Sequence, residues 1–224
     1  MMNRSFAILA LFFLLLPACS VQASGDEPAG EVAQAIGGAA QPSNAQYVVS
    51  VNGSCSGTLV SPTKVVTAEH CLSAQNRAGG VSATRAQIIG GRDVAVLTLS
   101  RALALPTVKL AQTAPQIGVG GTLIGYGRTE ESSLFTTRRQ ADLRVYKVGA
   151  EDADESRRIG PTGFFARGGD ARGCGADSGG AFMVDGELAG VTVLGDPSCD
   201  HADWDTGFAA VGPIYDLLRA AIDN

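Results

Sequence analysis

The chain has 224 residues, 45% apolar and 17% charged, with 29 glycines and a net charge of −5 at neutral pH. That composition belongs to a globular protein long enough for a substantial core, and it shows no internal repeat or low-complexity tract. The acidic balance gives no footing for a nucleic-acid partner, which would favour a basic patch.

At the N-terminus, Arg4 precedes an apolar run from Phe6 to Leu16 that Pro17 breaks. The run is too short to cross a bilayer comfortably and reads as a secretory signal, so the protein is expected to be exported, secreted or periplasmic. Two processing routes fit. Val21-Gln22-Ala23 suits a signal peptidase, giving a signal peptide over 1–23. Leu16-Pro17-Ala18-Cys19 resembles a bacterial lipobox, which would end the signal at 18 and place a lipid anchor on Cys19, as in an outer-membrane lipoprotein. That anchor is the one membrane contact the sequence suggests. Residues 24–34 are polar and turn-rich and read as a linker or short propeptide.

From Gln46 onward, short β-type runs recur between Gly, Pro, Ser and Asn breaks, at 46–51, 56–60, 64–67, 86–90, 94–99, 107–110 and 121–126. A second series follows near 141–148, 162–166, 180–184, 187–194 and 206–211. This spacing predicts an all-β barrel or sandwich. The tail from Pro213 to Ile222 has apolar residues at helical spacing and predicts a C-terminal helix packed on the second half of the chain.

The run Cys174-Gly175-Ala176-Asp177-Ser178-Gly179-Gly180 sets a hydroxyl among glycines. Glycines let a backbone turn sharply and approach a substrate closely. A serine hydroxyl is a poor nucleophile until a base takes its proton. An ordinary glycine-rich loop could carry the same tetrapeptide, so partners are needed. The chain has two histidines, His70 and His201. His70 ends the strand-like run Val65-Val66-Thr67-Ala68-Glu69-His70, and Asp93 opens the buried-type run Asp93-Val94-Ala95-Val96-Leu97. The order His, Asp, Ser is one in which a nucleophile, base and orienting acid occur together.

Five cysteines are odd for an exported chain until Cys19 is set aside; the other four can pair in three ways. No Cys-x-x-Cys pair points to zinc, and no cofactor is expected.

These motifs resemble the chymotrypsin/trypsin-like serine endopeptidases. Thr67-Ala68-Glu69-His70-Cys71 is similar to the family's Thr-Ala-Ala-His-Cys, and Asp93-Val94-Ala95-Val96-Leu97 to its Asp-Ile-Ala-Leu-Leu. Ala176-Asp177-Ser178-Gly179-Gly180-Ala181 is similar to its Gly-Asp-Ser-Gly-Gly-Pro. Gly125-Tyr126-Gly127 and Ala35-Ile36-Gly37-Gly38 match Gly-Trp-Gly and Ile-Val-Gly-Gly. The resemblance implies two antiparallel β-barrels, the first over about 35–125 and the second over about 126–224, with the active site between them. It implies Ser178 as nucleophile, His70 as base and Asp93 as orienting acid, with the N–H groups of Ala176 and Ser178 forming the oxyanion hole. It selects the disulfides Cys55–Cys71 and Cys174–Cys199. It places Arg172, Val193, Leu194, Gly195 and Gly207 around the substrate pocket. A protein or peptide substrate and a monomer are expected. Residues 73–92, where the family carries a calcium loop, contain no acid, so no metal site is expected.

Four departures bear on function. Ala176 replaces a glycine; if the loop needs positive φ there, alanine costs about 1–2 kcal/mol or flips the peptide. Arg172 stands at the pocket floor, where a guanidinium would favour acidic side chains unless it turns to solvent or pairs with Asp170. Val193 replaces a serine near the triad acid, which would leave Asp93 one hydrogen bond short. The residues before Ala35 and Ile36 are not a basic activation site, although a freed apolar N-terminus is implied to insert beside Asp177. The alternative function is therefore a catalytically impaired homologue that keeps the fold for binding.

Overall fold

The structure is a computed structural model and describes residues 41–129, 137–201 and 203–224. The expected signal and linker segments and Ala35–Gly38 lie outside the described residues. In chain order the elements are β1 (Gln41–Pro42), β2 (Val48–Val51), β3 (Cys55–Ser61), β4 (Lys64–Thr67), β5 (Arg77–Ala78), β6 (Val81–Ile88), β7 (Ala95–Leu99), β8 (Lys109–Leu110) and β9 (Gly120–Gly125). Then come β10 (Arg139–Val148), α1 (Ala153–Ile159), β11 (Phe164–Arg167), β12 (Ala181–Val184), β13 (Glu187–Leu194), β14 (Thr206–Ala210) and α2 (Tyr215–Asp223).

Two closed antiparallel barrels of six strands result. The first runs β2-β3-β4-β7-β6-β5. Its central strands β4 and β7 are apolar, β-branched runs buried along almost their whole length, as strands covered on both faces must be. The second runs β10-β11-β14-β13-β12-β9 and closes through the β9–β10 pair. Along β10, Ala141, Leu143 and Val145 point inward while Asp142 and Arg144 point out, the period-two alternation of a strand with one wet face. Its centre is a fully buried trio, Phe164, Phe182 and Phe208, with ring centroids 5.1, 5.0 and 4.9 Å apart. Gly190 makes room for them: a Cβ there would lie 2.6 Å from Phe164.

Three features differ from the sequence reading. Strand β9, expected in the first barrel, pairs with β10 and β12, so the first barrel ends at Leu99 and the chain crosses over well before residue 125. Strand β6 begins at Val81 and not at 86: after Val81 its residues are exposed or half-buried, and a register shift between Ala83 and Arg85 interrupts the alternation. The C-terminal helix α2 docks on the first barrel. Lys64 of β4 donates to the Ala221 carbonyl at 3.2 Å and to Thr98 Oγ1 at 3.1 Å, a cation well placed for the orphan carbonyls and negative end of a helix C-terminus.

Both disulfides join the pairs that the resemblance selects. Cys55–Cys71 ties β3 to the turn after β4 across 16 residues. Closing a loop of that length restricts the unfolded chain by about 3 kcal/mol. Replacing both cysteines by alanine is therefore expected to cost about that much stability, read as a lowered midpoint in urea unfolding.

Candidate active site

His70 sits on a single 3-10 turn, Glu69–Cys71, directly after β4. Asp93 sits just before β7, the strand paired with β4, so barrel register brings the two together. The acid holds the histidine twice: Oδ1 accepts from the His70 backbone N–H at 2.9 Å, and Oδ2 lies 2.6 Å from ring Nδ1. A carboxylate only accepts, so Nδ1 carries the proton and Nε2 is left with its lone pair. Burial pushes the Asp93 carboxyl up. The two hydrogen bonds from His70 and the charge of Arg158 outweigh it and hold the group below its ordinary value.

Ser178 comes to the same place by a seam between barrels. Ser56 of β3 donates its N–H to the Ser178 carbonyl at 2.8 Å. Ser56 follows Cys55, which is bonded to Cys71, the neighbour of His70. Gly179 closes the seam: with φ +80, its Cβ position lies 2.1 Å from the Ser56 carbonyl and 2.9 Å from Ala68 N, so only glycine fits.

Most peptide N–H groups around the serine are engaged. Gly175 donates to Asp196 O, Asp177 to Cys174 O, Gly179 to Thr192 O and Gly180 to Asp177 O. The N–H groups of Ala176 and Ser178 donate to no partner among the described residues. Two unengaged amides flanking a hydroxyl can receive a developing oxyanion. Ala176 does adopt φ +75, the left-handed region. The buried Ser56 hydroxyl fixes the peptide after Ala176, donating to Ala176 O at 2.9 Å and accepting from Tyr126 N–H at 2.9 Å, and the Arg128 N–H fixes the one before it through the Gly175 carbonyl at 2.8 Å. Sequence reading missed Ser56, because its partners lie 70 and 120 residues away.

Asp177 is fully buried, its carboxylate accepting from Gly127 N at 2.8 Å and Cys174 N at 2.9 Å. Burial pushes it up to about 7, only partly offset by those two bonds. A Cβ on Gly125 or Gly127 would fall 2.1 Å from its oxygens, which explains the Gly-Tyr-Gly motif.

The residues expected around a substrate pocket gather beside this loop. Val193 and Leu194 end β13, Gly207 of β14 faces Leu194, and a Cβ on Gly195 would meet the Gly173 carbonyl at 2.5 Å. Arg172 neither turns to solvent nor meets the Asp170 side chain. It is buried, bonding the Asp170 carbonyl at 3.0 Å, the Cys199 carbonyl at 2.9 Å and Asp196 at 3.5 Å. Two cavities flank the centre. One of about 500 Å³ opens beside His70, lined by Ser50, Asn52 and Leu72. The other, of about 550 Å³, lies beyond Leu194 and is lined by Tyr146, Phe165 and Trp204. His201, Asp196 and Asp200 cluster near the surface, but Asp196 is already engaged by Arg172, Ser198 and the His201 N–H.

A trypsin family model matches residues 35–217. The chain is 24% identical to "Trypsin eta" of Drosophila erecta, over 96% of this chain and 97% of that one. It is 29% identical to "Trypsin" of Saccharopolyspora erythraea, over 75% and 87% of the two chains. An "Uncharacterized peptidase" of Corynebacterium glutamicum (strain R) is 26% identical, over 91% and 83%. Among solved structures, neuropsin, a serine protease expressed in mouse brain, superposes with a TM-score of 0.65 at 17% identity, covering 81% of this chain and 96% of that one, a likeness of fold.

Two substitutions test how the strained loop is held. Ala176→Gly removes the left-handed penalty and is expected to raise stability by about 1 kcal/mol. Ser56→Ala strands a buried donor and acceptor and is expected to lower it by about 1–3 kcal/mol. Thermal melting of both variants checks the pair, and an unchanged melt for Ser56→Ala would contradict the clamp.

Proposed function

The chain belongs to the trypsin family and is a serine endopeptidase, and on that premise we propose that it cleaves peptide bonds through His70, Asp93 and Ser178. The observation that carries this is the double hold of Asp93 on His70, beside a serine flanked by two unengaged amides.

In this reading Ser178 Oγ attacks the scissile carbonyl as His70 Nε2 takes its proton. The carbonyl oxygen becomes an oxyanion that accepts from the N–H groups of Ala176 and Ser178. Each such donor is worth roughly 3–4 kcal/mol in the transition state. His70 then delivers the proton to the leaving amine, the C–N bond breaks, and an acyl-enzyme remains on Ser178. Water, deprotonated by the same imidazole, releases the acyl group and regenerates the hydroxyl. Asp93 keeps the proton on Nδ1 throughout and stabilises the imidazolium.

Substrate is read as an extended segment laid along Val193, Leu194 and Gly195 between the two flanking cavities. Arg172 is engaged by protein acceptors, which supports a structural role for it over selection of acidic side chains. The unengaged amides favour the enzyme over the impaired binding homologue, since the alanine keeps the loop's left-handed turn. Two disulfides suit an oxidising, extracellular compartment. Export through the segment over 1–23, or through a lipoprotein signal ending at 18, is part of the proposal, as is action as a monomer.

Ser178→Ala and His70→Ala are each expected to slow hydrolysis by about 10⁴–10⁶-fold with unchanged melting. Both should also abolish labelling of Ser178 by a fluorophosphonate. Hydrolysis or labelling that survives Ser178→Ala would overturn the assignment.

The buried acid before the nucleophile supports maturation by cleavage. Among the described residues no cation contacts Asp177, and an ammonium group freed at Ala35 or Ile36 would neutralise it. Without that cation, its folded-state pKa of about 7 lies above its ordinary value of 3.8. Its contribution to stability is then fully present below the ordinary value and is lost as pH rises through about 7. Uncut protein is therefore expected to lose stability between about pH 4 and 7, and protein beginning at Ile36 to keep it. Urea midpoints across that range check this; parallel pH profiles for the two forms would rule the scheme out.

A further inference from the structure

Val193 offers Asp93 no hydroxyl, yet the carboxylate is held from the β13 side by a residue that no motif singled out. Arg158, near the end of α1, places its Nε 3.7 Å from Asp93 Oδ2 and donates from Nη2 to the Val193 carbonyl at 2.6 Å. Its own carbonyl accepts the Asp93 backbone N–H at 3.2 Å. One residue thus grips the acid at both its main chain and its side chain. The end of α1 is itself fixed: Ile159 is fully buried, and Arg92 reaches Thr162 at 3.2 Å just beyond Gly160.

We propose that Arg158 is a positioning residue for Asp93, bridging the carboxylate to the backbone of β13 and setting the charge behind the imidazole. This rests on the reading of His70, Asp93 and Ser178 given above. Two consequences follow from the geometry. The bridge limits rotation of Asp93, so Oδ2 stays aimed at Nδ1. It also places a positive charge behind the carboxylate, which weakens the pull of Asp93 on a developing imidazolium and moves action toward lower pH. The charged and titratable groups around this acid are His70 with neighbouring Glu69 on the turn after β4, Arg92 beside Asp93 itself, and Arg158 from α1. β13 contributes the uncharged Val193 and Thr192. Arg92 is spent on Thr162, so Arg158 is the cation directed at the carboxylate.

The test compares wild type, Arg158→Gln, Arg158→Lys and Arg158→Gln with Val193→Ser, by fluorophosphonate labelling rates from pH 5 to 9. Arg158→Gln is expected to label about tenfold more slowly, with its acid-side midpoint raised by roughly half to one unit at low salt. Arg158→Lys should restore the midpoint and only part of the rate, because an ammonium cannot span both acceptors. Val193→Ser in the glutamine background should recover rate and leave the midpoint raised. A slower rate with an unmoved midpoint would mean a packing role and overturn the proposal, as would an unchanged rate and midpoint. A second readout is independent of activity: the Nδ1 proton of His70, seen by NMR and assigned with His201→Ala, should exchange with water at least about fivefold faster in Arg158→Gln. Equal exchange overturns the proposal even if wild-type protein fails to label, an outcome that would separately sink the reading of Ser178.

Discussion

The site depends on one seam, where Ser56 of the first barrel meets the nucleophile loop of the second. Its N–H binds the Ser178 carbonyl, its hydroxyl binds the Ala176 carbonyl, and its own carbonyl accepts from Thr67 at 2.7 Å. A buried polar residue engaged on every side is costly to displace, because each separated partner would be left unsatisfied. The proposed base and acid ride on one barrel and the proposed nucleophile on the other, so the proposed mechanism needs this seam to hold. The Cys55–Cys71 bridge and Gly179, which cannot carry a side chain there, fix it from two sides.

The same seam explains how alanine is tolerated at 176. A left-handed residue costs about 1–2 kcal/mol and persists only where its surroundings over-determine it. Here they do. Gly175 is fixed through Asp196 and Arg128, Asp177 through Cys174 and Gly127, and Ala176 through Ser56. Flipping the Gly175–Ala176 peptide would break the bond from the Arg128 N–H to the Gly175 carbonyl and turn that carbonyl the other way. The neighbours therefore oppose the flip, and the N–H groups of Ala176 and Ser178 stay without acceptors among the described residues, as the proposed oxyanion hole requires.

Much of the candidate site was legible because its residues lie in short local strings. His70, Asp93 and Ser178 each sit in a run whose strand-and-turn pattern shows in the sequence, and the resemblance selected both disulfide pairs. The fold was less legible at its joins. Strand β9 looks like a late strand of the first barrel, since only tertiary pairing says which sheet it enters. Helix α2 was expected on the second barrel; its partner Lys64 lies 157 residues upstream. For Arg172 the sequence left open selection of acidic side chains, exposure to solvent or pairing with Asp170, since it does not show that Asp196 and the carbonyls of Asp170 and Cys199 lie around the guanidinium. Ser56 and Arg158 carried no signal, because each acts through contacts that span the chain.

The charge behind the histidine decides how this site differs from one in which a lone carboxylate backs the base. A buried acid that keeps its proton off at neutral pH needs donors; Asp93 has the two from His70 and the nearby guanidinium of Arg158. With neutral imidazole, the Asp93–Arg158 pair carries no net charge. Proton transfer to His70 then creates a cation that feels both the adjacent carboxylate and the more distant guanidinium. The carboxylate is closer and dominates, since interaction energy falls with distance. The guanidinium trims that stabilisation without cancelling it. It also secures the hydrogen-bond geometry that the carboxylate needs, because it is tied to β13 through the Val193 carbonyl. A hydroxyl at 193 would supply geometry alone. In the proposed role, Arg158 supplies geometry and a field together, and so couples the orientation of the carboxylate to the charge behind the imidazole.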